Sequence, residues 1–131
     1  MSVGLVLVSH SARLAEGLRE LVEQVAQGRV TVAVAAGGPE DSLGTNAVAI
    51  GEAVESLAAG GVVVLLDLGS AVSALSTALD GLAPDVRARV RLADAPFVEG
   101  AVAAAVEASL GSDLEAVLVA AESARGQEKL A

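Results

Sequence analysis

His10 is the chain's only histidine, and it closes the apolar run Gly4-Leu5-Val6-Leu7-Val8 as the centre of Ser9-His10-Ser11. Imidazole is the side chain best suited to carry a proton or a phosphoryl group near neutral pH. A second candidate is Asp67, directly after the five apolar residues Val62 to Leu66 and before Leu68-Gly69-Ser70. If its carboxylate accepted the N–H of one His10 ring nitrogen, it would fix the tautomer, leave the other nitrogen free to attack, and stabilise the imidazolium. The competing role for Asp67 is local, as N-cap of the turn that follows. Four further residues would support a phosphoryl group: Ser9 and Ser11 beside the ring, Ser70 through its hydroxyl, and Gly69 by permitting close backbone approach. A helix opening at Ser11 also brings free N–H groups and a positive dipole end close to the imidazole. The bland alternative is a hydrogen-bonded structural histidine; its place at a strand end, between two hydroxyls, argues for chemistry.

Those residues need a scaffold, and the sequence alternates strand and helix. Val3 to Val8 reads as a buried strand, followed by a helix with apolar positions Leu14, Leu18, Leu21, Val22 and Val25 at three- and four-residue spacing. Gly28 stops it. Val30 to Ala35 is a second strand, Gly37 to Ser42 a loop, and a helix runs from about Thr45 (Val48, Ile50, Val54, Leu57) to Gly60-Gly61. Val62 to Leu66 is the third strand, and the helix after it carries Val72, Leu75 and Leu79. Pro84 interrupts the chain, and Val86 to Leu92, punctuated by arginine, reads as a weaker strand near an edge. Two alanine-rich helices follow, about Val98 to Leu110 and, after a Ser112 cap, Leu114 to Ala124. The expected fold is three-layer α/β/α around a mostly parallel sheet of four or five strands. Right-handed crossovers then put every strand's carboxyl end on one edge, gathering His10, Gly37-Gly38, Asp67 to Ser70, and Asp94-Ala95-Pro96. Residues 1–125 are expected to form one domain and 126–131 a flexible tail.

Composition narrows the function. The chain has 131 residues, is 53% hydrophobic and only 1% aromatic, so its core must be built from small and branched aliphatics, as suits a sheet covered on both faces. A net charge of −9 with neither Trp nor Tyr argues against nucleic acid as a partner. It favours a basic protein surface instead. The absence of cysteine removes disulfides and thiolate chemistry, and a single histidine leaves no multi-imidazole metal centre. No metal or cofactor is implied. No apolar stretch approaches the roughly 20 residues that span a bilayer, and no basic leader precedes the first strand, so the cytoplasm is the expected compartment. Neither GxxxxGK[ST] nor GxGxxG occurs. Ser, His and Asp are the ingredients of a hydrolase too, but the Ser70 turn lacks the GxSxG elbow.

Four segments then carry a family resemblance: Leu7-Val8-Ser9-His10-Ser11, Leu43-Gly44-Thr45-Asn46-Ala47, Leu66-Asp67-Leu68-Gly69-Ser70-Ala71 and Ala95-Pro96-Phe97-Val98-Glu99-Gly100. In this order and spacing, from about Val3 to Ala121, the chain resembles the phosphotransfer subunits of phosphoenolpyruvate-dependent dihydroxyacetone kinases. Their N-terminal domain is a mannose-type enzyme IIA domain of the phosphotransferase system. The resemblance implies that His10 accepts a phosphoryl group from phospho-HPr and passes it to ADP on the kinase subunit DhaL. The ATP formed there phosphorylates dihydroxyacetone on DhaK. Asp67 matches the family's histidine partner by motif. An enzyme IIA component of a mannose-family sugar system is the alternative. Some members carry HPr-like and enzyme I-like domains downstream, so separate HPr and enzyme I proteins are expected to serve this chain. The family's tendency to dimerise, with the apolar stretches Ala101 to Val106 and Val117 to Ala121, gives the expectation of a homodimer.

Overall fold

The structure, a computed structural model, describes residues 2–130. Its centre is a sheet of four strands, all parallel: β1 (Gly4–Ser9), β2 (Val32–Ala36), β3 (Val62–Leu66) and β4 (Val90–Leu92), in the order β2-β1-β3-β4. The two middle strands, β1 and β3, are the continuous apolar runs; each is flanked by strands on both sides and covered on both faces, which leaves no room for polar alternation. β1 pairs with β3 from Gly4↔Val62 to Val8↔Leu66, and with β2 from Leu5↔Val32 to Ser9↔Ala36. Ser9 and Asp67 therefore both lie one step beyond the Val8–Leu66 pair, on adjacent chains at the carboxyl edge.

Side chains alternate between two cores. On one face Leu5, Leu7, Val63 and Leu65 pack with Leu18 and Val22 of helix α1 (Ala12–Val25), with the alanines of α5 (Phe97–Ser109) and with Val117 and Ala121 of α6 (Leu114–Ser123). On the other, Val6, Val8, Val62 and Val64 meet Ile50 and Val54 of α2 (Ala47–Leu57) and Leu75, Ala78 and Leu79 of α3 (Val72–Asp80). The three-layer expectation holds, with four strands. Both alanine-rich helices share one face, and their small side chains let α5 approach closely. At Gly100 even a Cβ would come within 2.9 Å of the Ala95 methyl and 3.1 Å of Leu65 Cδ2.

Several local readings change. Val86 to Arg89 is not strand: Pro84 starts a short helix, α4 (Pro84–Arg87), where its missing N–H costs nothing, and only Val90–Leu92 joins the sheet. It does so at the edge, as the arginines suggested. The cap of α6 is Asp113, whose carboxylate accepts the Ala116 N–H, rather than Ser112. On α1 the buried stripe is Ala15, Leu18 and Val22, while Leu14, Leu21 and Val25 remain partly exposed on its flank. Val48 and Val72, counted as core positions by spacing, are also exposed. No helix among the described residues is long and apolar enough to cross a membrane.

Candidate functional site

Two chain turns build the site. β1 delivers Ser9 and His10 to the carboxyl edge, and Ser11 caps α1 by accepting the Leu14 N–H at 3.2 Å. β3 delivers Asp67, after which Gly69–Ala71 form a single 3-10 turn leading into α3. The loop after β2 fastens the backbone from the other side: Gly37 N–H donates to Ser9 O at 3.1 Å and Gly44 N–H to His10 O at 2.9 Å. Both glycines have positive φ, 80° and 150°, which β-carbon-bearing residues resist. The sequence marks Gly37 only as part of a loop at this edge. Its contact is non-local, and only its glycine identity hinted at a special backbone.

Asp67 accepts four hydrogen bonds. Oδ2 takes the Ser9 hydroxyl and the His10 main-chain N–H, both at 2.9 Å. Oδ1 takes the Leu68 N–H at 2.7 Å and lies 3.0 Å from His10 Nδ1. Burial pushes the Asp67 carboxyl up and is the largest single influence. The bonds from the His10 main chain, His10 ring, Ser9 and Leu68 together outweigh it and hold the group below its ordinary 3.8. At neutral pH the carboxylate is ionised and can only accept, so Nδ1 carries the ring proton. In the neutral ring Nε2 then presents its lone pair, and the Ser70 hydroxyl stands 2.9 Å from it. The side chain of Asp67 is 8% exposed and that of His10 25%, a covered anchor beside an accessible ring.

Each predicted site residue can be placed. His10, Asp67 and Ser70 form one line of contacts, carboxylate to ring to hydroxyl. Ser11 caps α1 beside them, and Gly69 opens the turn that carries Ser70. Ser9 is fully buried, with its hydroxyl directed at Asp67. Asp67 does not cap the following turn, since Leu68 holds the N-cap position and the carboxylate reaches only the adjacent Leu68 N–H. Next to Asp67 opens a cavity of about 340 Å³, lined mainly by Leu66, Leu68, Val72, Leu75 and Leu92.

Fold and site together define a doubly wound parallel α/β domain that presents one carboxylate-braced histidine at its carboxyl edge. The chain belongs to the EIIA-man family, described as the PTS system fructose IIA component, whose family model matches residues 4–118. It is 48% identical over 120 residues to the PEP-dependent dihydroxyacetone kinase phosphoryl donor subunit DhaM of Escherichia coli, a match covering 88% of this chain and 25% of that protein. It thus spans about a quarter of that relative's length. Against phosphoryl donor subunit DhaM of dihydroxyacetone kinase 2 from Listeria innocua the identity is 33%, covering 88% of this chain and 94% of the relative. The crystal structure of a protein of unknown function, EF1359, superposes with a TM-score of 0.88 at 33% identity over the full length of both chains.

Proposed function

We propose that this chain is a phosphohistidine carrier, the phosphoryl donor component of a dihydroxyacetone kinase, with residues 1–125 as the phosphotransfer domain and His10 as the catalytic residue. One observation carries the reading: Nδ1 is engaged by an ionised carboxylate while Nε2 of the partly exposed ring meets only the Ser70 hydroxyl at the carboxyl edge of the sheet. The names of the similar subunits support the choice of a dihydroxyacetone kinase as the system served.

In the loading step the Nε2 lone pair attacks the phosphorus of phospho-HPr in line, a new N–P bond forms, and the donor's N–P bond breaks. Phosphoryl transfer needs placement and charge stabilisation above all. Asp67 supplies both for the ring: it holds the Nδ1–H and balances the positive charge that develops when Nε2 is substituted. Ser70 leaves the lone pair and donates its hydroxyl to a phosphoryl oxygen. The N–H groups that open the turn at Gly69 and helix α1 add a favourable dipole end for the same charge. In unloading, a terminal phosphate oxygen of ADP bound to DhaL attacks the phosphorus, and His10 departs as the neutral ring. The resulting ATP serves DhaK. In this reading the chain works in the cytoplasm as a homodimer, the latter in keeping with the exposed apolar residues Val106 of α5 and Val119 of α6.

Isotope transfer tests this. Labelled phospho-HPr should place acid-labile label on His10, and DhaL with ADP should discharge it. Label retained in the presence of DhaL–ADP but lost to a sugar permease would indicate the mannose-family enzyme IIA role instead. A second reading has one observation in its favour: Ser70 Oγ, His10 and Asp67 stand in the contact order of a hydrolytic triad. Labelling of Ser70 by a fluorophosphonate, with no label accepted from phospho-HPr, would select it.

A further inference from the structure

The Ser9 hydroxyl is the one fully buried polar side chain among the described residues, and neither phosphoryl binding nor solvation accounts for it. It accepts the Ser11 N–H at 3.1 Å and donates to Asp67 Oδ2 at 2.9 Å. The direction of this chain is fixed at both ends, because an amide N–H can only donate and an ionised carboxylate can only accept. Linked bonds of this kind polarise and strengthen one another in a buried setting. We propose that Ser9 is a positioning residue, whose hydroxyl locks the rotation of the Asp67 carboxylate so that Oδ1 faces the imidazole, and couples that carboxylate to the start of α1.

The geometry shows what the lock prevents. Asp67 has one free torsion at its carboxyl end, and Oδ2 is held at two points, the Ser9 hydroxyl and the His10 N–H. Without the hydroxyl, Oδ2 keeps a single donor while the Ser11 N–H loses its acceptor. A loosened carboxylate presents Oδ1 to Nδ1 less faithfully, and the ring is freer to take the tautomer with hydrogen on Nε2, which cannot attack. The same loss removes one of the bonds that hold the Asp67 carboxyl down, so its ionisation moves to higher pH. The charged surroundings are simple. Among the described residues His10, on the β1 side, is the sole ion-pairing partner of Asp67, and Asp94, which lines the same cavity from the β4 side, is itself paired with Arg125.

This inference rests on the carrier reading for its rate measurement but not for its spectroscopic one. Ser9→Ala, Ser9→Cys and the native chain would be compared by ¹⁵N chemical shifts of the His10 ring, and by the pH profile of His10 phosphorylation from phosphoramidate, a donor that needs no docking. The native ring should show hydrogen on Nδ1. Ser9→Ala should populate the Nε2–H form, slow phosphorylation on the order of tenfold, as for residues that orient a primary ligand, and lose activity at higher pH on acidification. Ser9→Cys, a weaker donor of similar shape, should fall between, and it decides the matter if the alanine variant does not fold. A native tautomer and an unmoved acid limb in these variants would overturn the proposal, even with a slower rate. A failure of the carrier reading would instead leave every chain unphosphorylated, with the tautomer difference intact.

Discussion

His10 Nδ1 lies 3.0 Å from Asp67 Oδ1, across a gap of 57 positions that the parallel pairing of β1 and β3 closes. The same carboxylate binds the His10 main-chain N–H through its other oxygen. Ring and backbone of one residue are thus gripped by one side chain, which fixes both the tautomer and the direction in which Nε2 points. The helix-cap alternative for Asp67 required the carboxylate to reach N–H groups further along the turn, and it does not.

Asp67→Asn should therefore act on transfer. The amide keeps the shape but carries no charge, and its NH₂ group is a donor where the ring and three other donors need acceptors. Phosphorylation of His10 should slow by a factor on the order of 10² or more, by analogy with triad carboxylates. His10→Ala differs in kind: it removes the atom that bonds phosphorus, and labelled phosphoryl uptake should vanish. Quantifying acid-labile label on both variants separates the two effects.

The fold also senses the Asp67 charge. Its carboxyl is held below 3.8 in the folded chain, so its ionised form contributes stability that is fully present above that value. The contribution is lost as pH falls through 3.8 and towards the folded-state value. The melting temperature of the native chain should exceed that of Asp67→Asn at pH 7, and the difference should shrink steadily below pH 4. A constant difference across thermal melts from pH 7 to pH 3 would contradict the assignment of the bonds.

Much of this arrangement was legible in the residues. Val62 to Leu66 is bounded by Gly61 and Asp67, so both its limits and the placement of Asp67 at its exit follow from the apolar run. Once two parallel strands end at Val8 and Leu66, the meeting of Ser9 with Asp67 is a matter of register. Other features depend on tertiary context. Val86 has a β-branched side chain, yet Pro84 sets a helical φ that wins over four residues. Ser112 and Asp113 are both good caps, and the winner depends on the exit geometry of the turn after Gly111, whose φ is 82°. Leu14, Leu21 and Val25 satisfy helical spacing but sit beyond the strip that one sheet and α5 can cover. The Gly37 and Gly44 contacts join the loop after β2 to the end of β1, and no local pattern encodes them.

Ser70 gives a prediction of a different sign for two measurements. Its hydroxyl is 2.9 Å from Nε2, so it shields the lone pair in the unloaded state and must release it before attack. Ser70→Ala removes that competition but also removes a donor to the phosphoryl group. Loading of His10 should slow modestly, whereas the phosphorylated form should hydrolyse faster, by roughly the factor of 10 that one hydrogen bond of about 1.4 kcal/mol represents. Following the decay of acid-labile label after removal of the donor reads the second effect directly.

Docking of a carrier partner should respond to salt. The chain carries 17 acidic against 8 basic residues, and a net charge of −9 steers a basic surface towards it over about a Debye length, ~10 Å at 0.1 M ionic strength. Transfer from phospho-HPr should slow markedly between low and physiological ionic strength, while phosphorylation by phosphoramidate should change little. A flat rate with HPr would place the docking energy in apolar contacts.

Self-association is the last expectation, and the fold sharpens where to look. Ala101, Ala104, Ala105 and Ala108 of α5 and Val117 and Ala121 of α6 are consumed by the core, so they are not free to hold two copies together. What remains is on the outer surface: Val98 and Val106 on α5, Leu110 at its C-cap and Val119 on α6, exposed by 42%, 44%, 71% and 60%. Val98 and Val106 line one surface groove with Val102 and Ala120, and apolar lining of this kind favours burial against a second copy. Sedimentation at micromolar concentration should give twice the chain mass for the native protein. Val106→Glu, which sets a charge in that groove, should give the single-chain mass with its melting temperature little changed. A native chain that sediments as a monomer would show that these residues are left to solvent.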